Sequence, residues 1–201
     1  MNVNKKLYSV IILLVLFSNC LLAEKLFFTS KKVADKNDSA VRRFYILTEY
    51  KILHSTHDDD FKGADIILTY KATPSLYIGL GAEFTYSNLH NDNDWVLTNL
   101  KFAPLFVDAK LFLIHTKRIA SFFQLSEGVS INNYSRKDDL HAAPYHVSEL
   151  GNYLYAGLGC SFQLNKYITP IVGFGFNGFK MSFDEYDVNP HGLTVRIGFL
   201  F

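Results

Sequence analysis

The last ten residues read Gly192-Leu193-Thr194-Val195-Arg196-Ile197-Gly198-Phe199-Leu200-Phe201. Leu193, Val195, Ile197, Phe199 and Phe201 take alternate positions. Gly192, Thr194, Arg196, Gly198 and Leu200 fill the gaps. Successive side chains of a strand point to opposite faces. One face of this strand is therefore wholly apolar, and the other is small or charged.

The same alternation runs upstream. Leu76, Ile78, Leu80, Ala82, Phe84 and Tyr86 alternate with Tyr77, Gly79, Gly81, Glu83, Thr85 and Ser87. Leu154, Ala156, Leu158, Cys160, Phe162 and Leu164 alternate with Tyr155, Gly157, Gly159, Ser161 and Gln163. Val172, Phe174 and Phe176 share a face. A slip of phase at Gly178, read as a β-bulge, would carry that face on through Phe179, Met181 and Phe183. Less regular strands are expected over 42–54, 64–72, 96–114 and 119–133, the third of these slipping near Pro104. That makes eight strands.

Their connections alternate in length. Ala72–Ser75, His115–Arg118 and Asn165-Lys166 are tight; Ser55–Gly63, Asn88–Asp94, Ser135–Glu149 and Asp184–His191 are longer and polar. Short turns at one end and long loops at the other, with strands long enough for a tilted crossing, are the pattern of an eight-stranded antiparallel up-and-down transmembrane β-barrel.

The content of the faces decides the solvent. Charges recur within the strands, on the face opposite the Leu, Ile, Val and Phe. Near mid-bilayer a charge facing hydrocarbon costs about 2–4 kcal/mol, so this face is assigned to a polar lumen. Glu49, Asp65, Glu83 and Asp108 are placed inside with Lys51, Lys71, Lys101, Lys110, Lys180 and Arg196. Opposite charges in a narrow lumen should pair, and eight strands leave room only for side chains. The expectation is a plugged, salt-bridged interior. Glu127 is the exception: counted from Phe123 and Leu125 it falls on the lipid face, unless a bulge at Glu127-Gly128 turns it inward. Tyr50, Tyr70, Tyr86, Trp95, Tyr153 and Tyr167 fall near strand ends and suit aromatic girdles. A secreted soluble barrel for a lipophilic ligand would need the opposite polarity.

These residues carry a resemblance. The terminal strand ending in an aromatic, and hairpins such as Tyr70-Lys-Ala-Thr-Pro-Ser-Leu-Tyr-Ile-Gly-Leu-Gly81, are similar to the small eight-stranded outer-membrane barrels of Gram-negative bacteria, the OmpA/OmpX-like group. The resemblance covers about residues 42–201. It implies location in the cell outer membrane, contact with membrane lipid and lipopolysaccharide, and recognition of Phe199 and Phe201 by the barrel-assembly machinery. It carries no catalytic fingerprint.

Composition agrees with a membrane barrel. The 201 residues hold 20 Lys+Arg against 19 Asp+Glu, which excludes a polycationic nucleic-acid binder. Hydrophobic residues make up 49%, too many for a disordered chain. Eighteen Phe and 12 Tyr beside one Trp form a heavy aromatic load.

Residues 1–23 read as a signal peptide: Lys5 and Lys6, an unbroken apolar run from Val10 to Phe17, then Ala23 at the cut. An N-terminal anchor fits less well, because the run is short and broken by Ser18 and Asn19. A lipoprotein acylated at Cys20 also fits less well, because small residues rather than Phe17-Ser18-Asn19 should lead into that cysteine. Removal of this segment leaves Cys160 without a partner for an internal disulfide. Residues 24–41 are basic and are assigned to a periplasmic N-terminal extension, with an added short strand as the alternative. The barrel is placed at 42–201.

Three clusters invite a chemical reading. His54, His57 and Asp58 have donors suited to a divalent metal, but no third ligand position is fixed, so a solvated loop is preferred. Asn91-Asp-Asn-Asp94 is a fragment of a calcium loop lacking its spaced Gly and distal Glu. His146, Ser148 and Glu149 supply the residue types of a lipid hydrolase, and lipid A deacylases of this barrel size use a His-x-Ser pair. Their following Asn-Ala is replaced here by Glu149-Leu150, and adjacent strand residues point to opposite faces. The leading expectation is a non-enzymatic barrel without cofactor, its loops open to an extracellular ligand. A lipid-modifying enzyme is the alternative.

Overall fold

The computed structural model describes residues 43–201 except 57–58, 93–94, 117, 138–142, 166 and 182–188. The signal-peptide and extension readings therefore lie outside the described residues, as do His57 and Asp58. Eight strands follow one another: β1 (Phe44–Ser55), β2 (Asp60–Lys71), β3 (Leu76–Asp92), β4 (Trp95–His115), β5 (Ile119–Lys137), β6 (Tyr145–Phe162), β7 (Thr169–Lys180) and β8 (His191–Leu200). Each pairs antiparallel with the next, and β8 pairs with β1 to close the barrel. This is the all-β up-and-down architecture expected. The long strands β3 to β6 run further toward the loop ends than the alternation alone indicates.

The register fixes the tilt. Followed strand by strand from Phe44, the paired positions return to β1 at His54, ten residues further along. Such an offset requires strands inclined to the axis, typically by about 35–45°. The seam extends past β8: Ile46 N–H donates to the Phe201 carbonyl at 3.2 Å, and Phe201 N–H donates back to Ile46 at 2.9 Å.

Burial alternates with the pleat, and its polarity is inverted relative to a soluble protein. Outward positions are apolar and exposed: Leu80 at 68%, Leu158 at 60%, Phe174 at 55%. Inward positions include fully buried Arg196, Lys51 and Asp108. Inward glycines make room for inward rings. A Cβ at Gly81 would strike the Phe106 ring, and one at Gly159 the Phe122 ring. A glycine-rich face thus marks where neighbouring strands aim aromatics into a narrow interior.

Two phase slips differ from the sequence reading. In β4 the register with β5 shifts between Thr98 and Lys101 and again between Phe112 and Ile114, not at Pro104. Asn99 takes φ 54°, a left-handed conformation that asparagine tolerates better than most residues. In β7 pairing with β6 is continuous through Gly178, with no bulge there. Phe179 and Met181 therefore point inward, where both are buried.

Candidate functional site

The interior is the best-defined constellation, and its centre is Arg196 of β8. One guanidinium nitrogen, Nη1, lies 3.1 Å from Asp65 Oδ2 and 3.3 Å from Glu49 Oε2. The other, Nη2, donates to the Tyr153 hydroxyl at 2.7 Å and lies 3.6 Å from Glu83 Oε2. The guanidinium carbon sits 3.7 Å from the centre of the Tyr155 ring, a cation–π stack. Tyr153 passes the chain on, donating to Glu83 Oε2 at 2.9 Å. Glu83 also pairs with Lys51 and accepts from Thr85 at 2.7 Å. Lys51 donates to Asn177 Oδ1 at 2.5 Å, and its ammonium faces the Phe179 ring at 4.8 Å.

A second group sits on β4 and β5. Lys110 pairs with Asp108 Oδ2 at 2.7 Å, while Gln124 and Ser126 donate to Asp108 Oδ1 at 2.8 and 2.7 Å. Strands place these groups together because alternate residues of all eight strands converge on one axis. Burial without partners would be prohibitive for each charge; mutual pairing offsets that penalty.

Apolar layers bracket the ions. Toward the loop ends Phe102 stacks on Phe179 at 4.5 Å, with Phe61 and Tyr153 packed against that pair at 5.8 and 5.5 Å. Toward the turn ends Phe112 lies between Tyr77 at 4.8 Å and Phe122 at 5.6 Å.

Not every residue assigned to the lumen lies there. Lys180 is exposed on the outer wall, because β7 keeps its phase through Gly178. Lys101 is exposed too, because the slip at Asn99 precedes it. Lys71 is half-buried at the turn end of β2, its ammonium 5.8 Å from the Tyr77 ring. Conversely, Tyr153, expected in a girdle, is fully buried at the heart of the network. Its phase, shared with Tyr155 and Gly157, carries that signal. Alternation puts Thr85 and Asn177 on the lumen-side face but gives them no role, and Gln124 and Ser126 pass unnoticed; neutral hydrogen-bonding residues give no charge to notice.

The other clusters disperse. His54 points outward, its Nδ1 2.9 Å from Asp60 Oδ1. No grouping of three or more His, Cys, Asp or Glu suited to a metal occurs among the described residues. His146 and Ser148 face outward on β6, while Glu149 is half-buried and accepts from the Tyr134 hydroxyl at 3.0 Å. The three side chains are not brought together. Glu127 is exposed on the outer wall, flanked by Leu125 and Val129 and paired in register with Val107 and Leu154. Unbroken β5 pairing gives no bulge to turn it inward. Phe199 and Phe201 are both outward, their rings 6.3 Å apart.

No family model and no curated protein matches the chain. Solved structures do. The N-terminal β-barrel domain of OprF from Pseudomonas aeruginosa is 13% identical, covering 78% of this chain and 97% of that one, with a TM-score of 0.51. A major outer membrane protein from Thermus thermophilus is 11% identical over 79% of this chain and 98% of its own, at 0.49. Neisserial surface protein A is 13% identical over 78% and 94%, at 0.48. The likeness to the OprF domain is one of fold. The chain has the fold of the small eight-stranded outer-membrane barrels.

Proposed function

We propose that this protein is a non-enzymatic outer-membrane β-barrel whose lumen is plugged and whose longer connections carry its binding or adhesive role. The observation that carries the reading is the inverted polarity. Arg196, Lys51, Glu83 and Asp108 are sealed inside while Leu80, Phe174 and Leu158 face out. Only a solvent of acyl chains makes that arrangement favourable. The ionic layer between two aromatic layers supports an interior closed to solutes. In this reading the tight turns face the periplasm and the longer loops the exterior. Residues 1–23 would direct export, 24–41 would remain periplasmic, and Phe199 and Phe201 would engage the barrel-assembly machinery. The rigid barrel is then a mount, and ligand choice belongs to the loops.

The test has two arms. The protein extracted from outer membranes should shift mobility on gels between unheated and boiled samples, as a detergent-resistant barrel does. In planar bilayers it should give no large, stable conductance. Absence of the shift would remove the membrane reading, and a large conductance would remove the plug.

A further inference from the structure

We propose that Lys62, Tyr86 and Lys101 form a lipid-headgroup site on the outer wall, binding the phosphate of an outer-leaflet glycolipid of the lipid A type. The inference rests on the membrane reading above and assigns a partner to one patch of the barrel surface.

Register brings the three residues together. Lys62 of β2 pairs with Tyr86 of β3, and Tyr86 pairs with Lys101 of β4. All three side chains are exposed on the outer face. Neighbouring strands lie about 5 Å apart, so the tyrosine stands between two lysines one strand away on either side. Each lysine carries its ammonium on a flexible four-carbon stem, so both can converge on one phosphate while the phenol donates a hydrogen bond.

Among the described residues no acid pairs with the patch, and neither lysine has an ion pair. The nearest outward carboxylate on β2, Asp60, is already held by His54 at 2.9 Å. The same row continues beyond Lys101 to Asn133 and Ser148, so the positive charge is confined to β2–β4.

The apolar wall begins immediately toward the turn side. Ala64 pairs with Phe84, and two residues further on Ala82 lies in register between Ile66 and Leu105. Ile66 and Leu105 are 54% and 59% exposed and stand proud of the alanine between them. That notch, four residues below Tyr86 with the exposed Phe84 ring between them, would seat an acyl chain on the turn side of the cations. An anionic headgroup attached to several acyl chains matches both halves of the patch, and the loop-side edge is where outer-leaflet headgroups lie.

The test uses the full chain purified in detergent, incubated with bis-phosphorylated lipid A, phosphate-free lipid A or phosphatidylglycerol, and read by native mass spectrometry. Wild type should retain bis-phosphorylated lipid A about tenfold better than the phosphate-free form. K62A/K101A should lose that preference and K62R/K101R should keep it. K180A, on the far side of the barrel, should match wild type. Heat-modifiable mobility checks that each variant is folded. A folded K62A/K101A that still prefers the phosphorylated lipid would overturn the site. Equal retention of phosphatidylglycerol would overturn the choice of lipid. A wild-type chain showing no heat-modifiable form would overturn the membrane reading itself and the site with it, whereas a folded chain indifferent to phosphate overturns the site alone.

Discussion

Arg196 of β8 reaches across β1 to Asp65 of β2, 3.1 Å away, and both side chains are sealed from solvent. The contact spans the seam at which the last strand meets the first, so it ties closure of the barrel to the charge balance of its interior.

Removing Arg196 should therefore be severe. R196M leaves Glu49, Asp65 and Glu83 without their shared cation, and breaking a buried pair in this way costs about 3–5 kcal/mol. Urea unfolding in vesicles should show the loss. R196M/E49Q/D65N should recover part of it, since no uncompensated carboxylate remains beneath the missing guanidinium. A fully stable R196M would contradict the pairing.

Glu127 predicts the opposite sign. It stands on the apolar wall between Leu125 and Val129. E127L should raise stability in lipid vesicles by about 1–2 kcal/mol, below the penalty for a basic residue at mid-bilayer. The gain should shrink when the protein is unfolded from short-chain detergent micelles, which water penetrates more readily. Equal or lower stability in vesicles would mean that Glu127 does not meet hydrocarbon.

Two glycines form a matched pair. A Cβ on Gly128 would run into the Leu105 carbonyl and the Phe106 backbone, whereas one on Gly178 would meet His191 Cβ at an ordinary 3.5 Å. G128V should fail to give a heat-modifiable barrel, and G178V should fold. The reverse pattern would place the inward and outward faces incorrectly.

Phe179 tests the aromatic layer. It stacks on Phe102 and packs against Tyr153 and the Lys51 ammonium. F179A should lower stability by about 3–5 kcal/mol through the cavity it leaves. Conductance should stay small, because the ionic layer centred on Arg196 remains. A large, steady conductance in F179A would locate the whole seal at the ring.

Much of this architecture is legible in the order of residues. Leu80 and Phe174 outward, Glu83 and Arg196 inward, and the count of strands all follow from period two, which a single-residue slip would invert. The errors have one origin. Placing Lys101 and Lys180 inside depends on slips at Pro104 and Gly178, where proline and glycine suggest them. The actual slips in β4 sit at Asn99 and past Phe112, where the sequence carries neither proline nor glycine. Phe179 and Met181 read as lipid-facing because they are apolar. Near the loop ends, however, the interior is itself aromatic, so hydrophobicity no longer distinguishes inside from outside. The hydrogen-bonding partners of the charges, Tyr153 and Asn177 above all, depend on which strands face one another across the lumen. Local sequence does not encode that.

The most direct test is nitroxide accessibility at single cysteines in a Cys160→Ser background, with the protein reconstituted in lipid vesicles. Labels at Leu80, Phe174 and Val195 should collide freely with oxygen dissolved in the acyl chains and hardly at all with a water-soluble nickel chelate. If the chelate reaches those three positions while oxygen does not, the wall faces water and the account is wrong.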